Sequence, residues 1–458
     1  MLLRSAGNGR DSKRIFIDVS NVTRDGIGAC YLAALLRREG FDVLLADGIL
    51  SDLFKFRPHV IVLGNVQEIK GFLFSKYARL SGAKVVVLPV EGVFCPSSAE
   101  DVSRIFTDKF TKDYSEAADL WLCWGRSYAD MLTKYLGVME SRIRVCGCPR
   151  FDIYSPPLSK IVMPKGRFCE KYGLDPRKKI VTLATHFIWA DSEPEKMTGI
   201  MYAEDIGFVK KQKIEEAAER GFAVGSVLEL AREFGDTNFI LKLHPWEDAE
   251  HYVQLVRHAK AKNVKLIKGE NIAHVIKNSD LWLHVNCTTA KEAAIMGKPV
   301  VSLHFIGEYA QGYDKFSLMC DTARTYEELR EKAASYLDGN KPTFSNDALK
   351  YLKGTFHKLD GRSTERCVRE IKGFVGGQNI SPKMPFSISL MPFFFTYDLR
   401  KILRRVIYSS KRMRALYLGL RWGKSVDYLE FTGREEFAEQ FEQFADKTIN
   451  EIHERCWK

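Results

Sequence analysis

Two short stretches hold side chains suited to gripping a phosphorylated ligand. Lys242-Leu243-His244-Pro245 closes an apolar run, and Asn286-Cys287-Thr288-Thr289-Ala290-Lys291-Glu292 follows a later one. An imidazole held at a strand end can donate to a phosphate or a ribose hydroxyl. Thr288 or Thr289 is expected to cap the helix that follows, and a helix N-terminus attracts anions. Glu292, one turn into that helix, can accept from ribose hydroxyls. Lys242 and Lys291 are further donors to offset charge on a leaving nucleotide. Either stretch alone also suits an ordinary strand stop and helix cap. Both at one edge of one sheet point to a nucleotide site.

Two carboxylates are candidates for the chemistry. Glu91 follows the apolar run Lys84–Val90, so it sits at a strand's carboxyl end, where a partly desolvated carboxylate can act as acid or base on a hydroxyl. Asp191 lies in Thr185-His186-Phe187-Ile188-Trp189-Ala190-Asp191, just past another run. Glu204 and Asp205 compete with Asp191, and the insertion from about Ser192 to Lys213 has the length of a lid. Each carboxylate could equally be a solvated loop residue. No paired-aspartate metal clamp stands out, so no metal is expected. The charge that a metal would offset falls to helix dipole, imidazole and lysine donors. Gly26 and Gly28 form a short glycine pair in an expected turn, with Arg24 beside it as a possible contact for an anionic acceptor.

These residues need strands that end together. Arg14–Ser20, Phe41–Ala46, His59–Gly64, Lys84–Val90, Asp119–Trp124 and Arg142–Cys146 are apolar runs of strand length, and a helical stretch, Tyr31–Arg38, lies between the first two. The pattern restarts with Ile180–Ala184, Asn238–Leu243, Val264–Ile267, Asp280–Val285 and Pro299–Leu303, with helices such as Val227–Phe234 and Lys291–Met296 between them. Near-continuous apolar strands alternating with helices are the mark of parallel sheets covered on both faces. The expected class is α/β: a Rossmann-like acceptor domain over 1–157 and a Rossmann-like nucleotide-donor domain over 176–345, facing a cleft, then a helical extension over 346–458. A Pro- and charge-rich linker is expected from Tyr154 to about Pro176. In such sheets ligands sit at the carboxyl ends of strands.

The extension carries an apolar stripe (Leu399, Ile402, Leu403, Val406, Ile407) among Lys and Arg, with no Asp or Glu from Arg400 to Lys424. That basic segment, 399–424, suits an anionic membrane surface or packing back onto the first domain. Nucleic acid is not expected, for no recognition motif accompanies it. The whole chain, 458 residues with net charge +11, favours anionic partners. Its composition, with 45% apolar residues, excludes a disordered or disulfide-stapled protein. The ten cysteines are scattered, and Cys146-Gly147-Cys148 lacks a second pair at zinc spacing, so reduced buried thiols are expected. The start of the chain lacks an apolar signal region, and no run is long enough to span a bilayer, so a cytoplasmic protein at the inner face of the membrane is expected.

The His-Pro pair followed by the Thr pair resembles the donor-nucleotide motifs of CMP-sugar-using GT-B transferases, including sialyltransferases and Kdo transferases. Ser279-Asp280, Thr288-Thr289, Glu292-Ala293 and Gly297-Lys298-Pro299-Val300-Val301 resemble teichoic-acid glycerophosphotransferases. Gly147-Cys148-Pro149-Arg150-Phe151-Asp152 is similar to a GxPRxD segment of those enzymes and of surface-carbohydrate or capsule biosynthesis proteins. Asp18, Arg24-Asp25 and Glu91-Gly92 look most like the latter group. Arg150 and Asp152 are expected to make an interdomain salt bridge or hinge contact. The resemblance covers roughly 14–310. It implies a GT-B glycosyltransferase of surface polysaccharides, taking a nucleotide-sugar, CMP-Kdo-like first, to a lipid-linked or growing glycan, without a resident cofactor. It also implies that Asp191 matches the nucleophile of retaining capsule-type Kdo transferases, and that Glu-Gly in place of His-Gly argues for sugar over glycerophosphate transfer. The alternatives are a CDP-glycerol glycerophosphotransferase, a UDP-GlcNAc 2-epimerase-like enzyme, and a non-catalytic membrane-bound scaffold of a polysaccharide assembly complex.

Overall fold

The computed structural model describes residues 12–19, 21–67, 69–90, 102, 113–191, 206–244, 247–285, 287–305, 319–384, 445 and 447–456. Glu91, Glu204, Asp205, Pro245 and the basic segment 399–424 lie outside the described residues. Each half of the chain builds one six-stranded, all-parallel sheet.

In the first unit the strands are β1 (Arg14–Asp18), β2 (Asp42–Ala46), β3 (Val60–Leu63), β4 (Lys84–Val87), β5 (Leu120–Cys123) and β6 (Ile143–Val145), in the order β2-β1-β3-β4-β5-β6. β1 is an interior strand, Phe16 pairing with Leu44 on one side and Ile61 on the other. The chain therefore reverses its direction of sheet growth between β1 and β3. At such a switch point the loops leave a crevice open above the strand tips.

The helix after β1 overturns one expectation. Arg24–Ala29 is no turn: α1 runs Val22–Arg38 and takes in Gly26 and Gly28. Asn21 starts it, its side-chain oxygen accepting from Arg24 N at 3.2 Å. Gly28 is small for a packing reason. A Cβ there would stand 3.1 Å from the backbone N and Cα of Arg150, where the short 3-10 segment Pro149–Tyr154 crosses the helix. Gly28 thus serves backbone approach between elements, and the glycine pair lies in a helix and not in a phosphate-cradling loop.

The described residues from Lys350 onward group with the first unit instead of forming a separate extension. The helix Ser363–Gly376 is seated by Asp152, whose carboxylate accepts from Ser363 N (3.0 Å), Thr364 N (2.7 Å) and Thr364 Oγ1 (2.6 Å). Arg366 Nε adds a bond to the Cys146 carbonyl at 2.7 Å. Asp152 is therefore an intra-unit cap, not the interdomain contact expected of it. Arg150 likewise pairs within the unit, 3.8 Å from Asp25.

In the second unit β7 (Lys179–Ala184), β8 (Thr237–Lys242), β9 (Val264–Ile267), β10 (Leu281–His284), β11 (Val300–Leu303) and β12 (Asp321–Ala323) take the order β12-β11-β10-β7-β8-β9. This is the Rossmann order, with its switch point between β7 and β10. The core pairs strand residues such as Val181, Phe239, Leu241 and Leu283 with Val224, Val227 and Leu230 of the long helix α2 (Ile206–Glu233). That helix takes up the C-terminal part of the stretch expected to be a lid. The expected linker also holds structure: a 3-10 turn over Leu158–Ile161 and a helix, Lys165–Tyr172, which belongs to the second unit. No described helix is long and apolar enough to cross a membrane.

Candidate functional site

The second sheet brings the sequence-selected residues to one edge. Ala184, the last residue of β7, pairs with Lys242 of β8 on one side and His284 of β10 on the other. All three strands are parallel, so His244 and Thr288 leave the sheet two and four residues beyond a common level. Their strands flank β7, and at the usual strand spacing they are about 10 Å apart.

Glu247 organises these loops, and sequence reasoning passed over it. It is 2% exposed, and its carboxylate accepts from the Thr185 hydroxyl, Phe187 N (2.7 Å), His244 N (2.8 Å) and Tyr252 Oη (2.9 Å). Burial raises its pKa, and those bonds pull against the rise. The tips of β7 and β8 are thereby tied to one carboxylate. The rings of His186 and His244 meet edge to face, 4.9 Å between centroids. Burial lowers the pKa of His186, which keeps its imidazole neutral and able both to donate and to accept. His186 was in view within Thr185–Asp191 but was not chosen; its signal was the same strand-end imidazole that singled out His244.

The hydroxyl pair is arranged otherwise than expected. The helix α3 (Thr289–Ile295) has Thr288 at its start, with no side-chain capping bond from Thr288. The Thr289 hydroxyl lies 3.1 Å from Cys287 Sγ and accepts from Trp282 Nε1 at 3.3 Å, while its backbone bonds the Cys287 sulfur. The sulfur thus takes the capping position. Thr288 is exposed and Thr289 is a positioning group. Lys291 and Glu292 are 1% and 2% exposed, packed beneath the first turn. Lys242 is buried too, its ammonium bonded to the Leu243 carbonyl at 3.1 Å, and desolvation pushes its pKa down to about 8. His284, below the switch point, accepts from Cys287 N at 3.2 Å, and burial together with His304 pushes its pKa down to about 3.

Asp191, seven residues beyond β7, is exposed. Arg220 of α2 clamps both its oxygens, the longer bond at 2.8 Å. Glu216, one turn earlier on α2, accepts from Trp189 N at 2.7 Å, and burial raises its pKa to about 8. A carboxyl that stays protonated at neutral pH beside a neutral imidazole loop can donate a proton. Glu216 was not singled out in the sequence, where it reads as one more acid on a charged helix.

The raised pKa fixes a pH dependence. Folded Glu216 holds its proton up to about pH 8, while the unfolded side chain releases it near 4.5. Between those values the unfolded state binds fewer protons, so stability falls as pH rises, by up to about 1.4 kcal/mol per pH unit. Below 4.5 the contribution is whole; above about 8 it is gone. Chemical denaturation at pH 5 and 8 is expected to show Glu216→Gln losing less stability over that interval than wild type. Equal losses in the two proteins would refute the assignment.

No protein-family model matches the chain, and no curated protein matches it significantly. Solved structures do. The S. aureus MnaA–UDP complex is 14% identical, covering 82% of this chain and 100% of its own, with a TM-score of 0.52. The UDP-GlcNAc 2-epimerase of Neisseria meningitidis bound to UDP-GlcNAc is 13% identical, covering 79% and 100%, at 0.52. A variant of the wall teichoic acid polymerase TagF is 11% identical, covering 80% and 90%, at 0.51. The chain has a GT-B-like fold. At these identities the likeness is one of fold, and the expected α/β class with two Rossmann-like units stands.

Proposed function

We propose that the chain is a GT-B sugar-nucleotide enzyme of cell-surface glycan biosynthesis, a glycosyltransferase whose second unit holds the donor. The observation that carries this is the shared level of Lys242 and His284 on either side of Ala184, which sets the imidazole and hydroxyl loops at one carboxyl edge over the switch point. There the neutral His186, His244 and the exposed Thr288 face a phosphate, with the N-terminal dipole of α3 behind it. Glu292, 2% exposed, is assigned a supporting role under the first turn of α3 and not the ribose contact expected of it. Thr289 and Lys242, both internally bonded, hold the loops that do the binding, and Pro245 is assigned to the same donor side as His244.

Asp191 is assigned to the anomeric carbon, oriented by Arg220, and Glu91 to the acceptor hydroxyl. A CMP-linked, Kdo-like sugar is the first donor to try, and UDP-GlcNAc the second, because similar folds hold UDP and UDP-GlcNAc. The acceptor is a lipid-linked or growing glycan met at an anionic membrane through 399–424. The pairing of a protonated Glu216 with the His186 loop also suits a second reading, epimerisation of a UDP-sugar, which needs proton transfer and no acceptor.

Asp191→Ala and Glu91→Gln are expected to lower turnover about 10²-fold or more with CMP-, CDP- or UDP-linked donors. Full activity in both variants would remove the catalytic assignment. Conversion of a UDP-sugar without acceptor would favour the epimerase. Glycerophosphate transfer from CDP-glycerol would favour that phosphotransferase. If no nucleotide raises the melting temperature at millimolar concentration, a non-catalytic scaffold is the better account.

A further inference from the structure

Helix α2, Ile206–Glu233, has a face that its own unit does not use. Its inner side is occupied. Val224, Val227 and Leu230 pack on the sheet, and Glu216 and Arg220 hold Trp189 N and Asp191. Opposite them stand Ile214, Ala218, Gly221, Phe222 and Gly225, all exposed, at the i, i+4, i+7, i+8, i+11 spacing of a single helix face. Ile214 is 71% exposed and Phe222 58%. Exposed apolar residues scattered singly are ordinary, but a continuous stripe over about three turns marks a contact surface.

Two members of the stripe are glycines in a helix interior, where glycine is a weaker helix former than alanine. Nothing in the unit asks for them. A Cβ at Gly221 or Gly225 would meet no atom within 4 Å, whereas the missing Cβ of Gly28 admits the Arg150 backbone. Above α2 that space is open. Small residues between two large ones let a second helix approach closely and seat the large side chains as ridges in its grooves.

Charge selects the partner. Lys211 and Glu229 are both exposed and lie on this same line, eighteen residues and five full turns apart. Residues 206–213 include Lys210, Lys211 and Lys213 and no acid. Lys211 meets Glu215 at 3.7 Å within the helix, an exposed pair that binds it weakly. Arg232, at the far end, turns aside to the Ala259 carbonyl at 3.3 Å. Laid antiparallel about residue 220, two such helices set Lys211 of each copy against Glu229 of the other. The same register lays Phe222 over Ala218 of the second copy and Ile214 beside its Gly225. A parallel pair would oppose like charges. The basic stretch 399–424, with no acid from Arg400 to Lys424, cannot match the lysine end.

We propose that two copies of the chain pair antiparallel through this face of α2, about a two-fold axis. Sedimentation velocity of the full chain, from low micromolar to submillimolar concentration, is expected to show a reversible monomer–dimer equilibrium. Phe222→Glu weakens it about 30-fold or more. Gly225→Leu separates pairing from folding. It fills the open space, so dimerisation falls about tenfold or more, while the melting temperature of the dilute monomer holds or rises, leucine being the better helix former. Lys211→Glu and Glu229→Lys each weaken the dimer about 3–30-fold, and the double exchange restores it. A chain that stays monomeric, a dimer that survives Phe222→Glu or Gly225→Leu, or a double exchange no better than its single members would each overturn the proposal. If Phe222→Glu does not fold, Gly225→Leu decides alone. A chain that stays monomeric and binds phosphatidylglycerol vesicles through Phe222 would give this face to a bilayer and overturn the pairing.

Discussion

Glu247→Ala is expected to destabilise the second unit by about 3 kcal/mol or more and to abolish nucleotide binding. An ionised carboxylate offers about four acceptor sites. Glu247 uses its acceptor capacity on four donors: the Thr185 hydroxyl, Phe187 N, His244 N and Tyr252 Oη. Alanine would leave two backbone N–H groups and two hydroxyls buried at the strand tips with no water to replace the lost oxygens. Each orphaned donor costs about 1–3 kcal/mol, less what relaxation recovers. The release also has a functional side. His244 leaves β8 in a turn closed by Glu247 N bonding the His244 carbonyl at 3.2 Å, and Lys268 Nζ holds the Glu247 carbonyl at 2.9 Å. Without the carboxylate, the His186–His244 pair loses the bond to His244 N that helps fix its edge-to-face geometry. Glu247→Gln keeps the volume but turns an amide N–H₂ toward donors, so it should fall between alanine and wild type. Urea denaturation gives the first quantity and nucleotide thermal shift the second. An alanine variant within about 1 kcal/mol of wild type that still binds nucleotide would show that the loops are held by something else.

This residue also shows where reading the chain alone stops. β10 was legible because all four of its residues, Leu281–His284, are buried, as a strand covered on both faces must be. β12 was not: Asp321–Ala323 is three residues long, begins exposed and carries no apolar run. The strand-end placement of His244 and Thr288 was legible because residue type and strand-end position are local properties. Glu247 was not, because its role depends on donors from Thr185 and Phe187, 62 and 60 residues upstream. In the sequence it is an acid beside another acid and looks solvated. The glycine pair misled for the opposite reason. Two glycines weaken a helix locally, and propensity favoured a turn. The close approach of Arg150's backbone, a tertiary fact, overrode that propensity, although the Asn21 cap was there to be read. Thr288 and Thr289 were right in position and wrong in detail: a buried thiol took the capping role that hydroxyls usually fill.

Asp152→Ala is expected to cost the first unit about 3 kcal/mol and to release the Ser363–Gly376 helix from it. The sequence placed this aspartate in a recognisable segment but assigned it to the wrong partner. It is 1% exposed and reaches a helix start 211 residues away in the chain. The local start, Arg362, makes no side-chain capping bond, so Asp152 supplies the cap in trans. Removing a local cap costs about 1 kcal/mol. Here the loss is larger because Ser363 and Thr364 are themselves buried, at 2% and 0%, and their N–H groups cannot turn to water. The other polar ties are part-buried, exposed or farther along the chain: Arg366 to the Cys146 carbonyl, Arg144 to Glu370 at 3.2 Å, Lys372 to Glu39, and Lys383 N to the Ser81 carbonyl at 2.7 Å. Hydrogen exchange should therefore show the amides of Val368–Ile371 losing protection in the variant, while those of β7 and β8 in the second unit stay as they were. Asp152→Asn, a good capping residue that still offers one oxygen, should recover roughly half of the loss. Protection that falls equally in both units would mean that Asp152 acts on more than the helix it caps. Protection unchanged at Val368–Ile371 would mean that the helix is held by its apolar face, Cys367, Val368 and Ile371, and not by the carboxylate at its head.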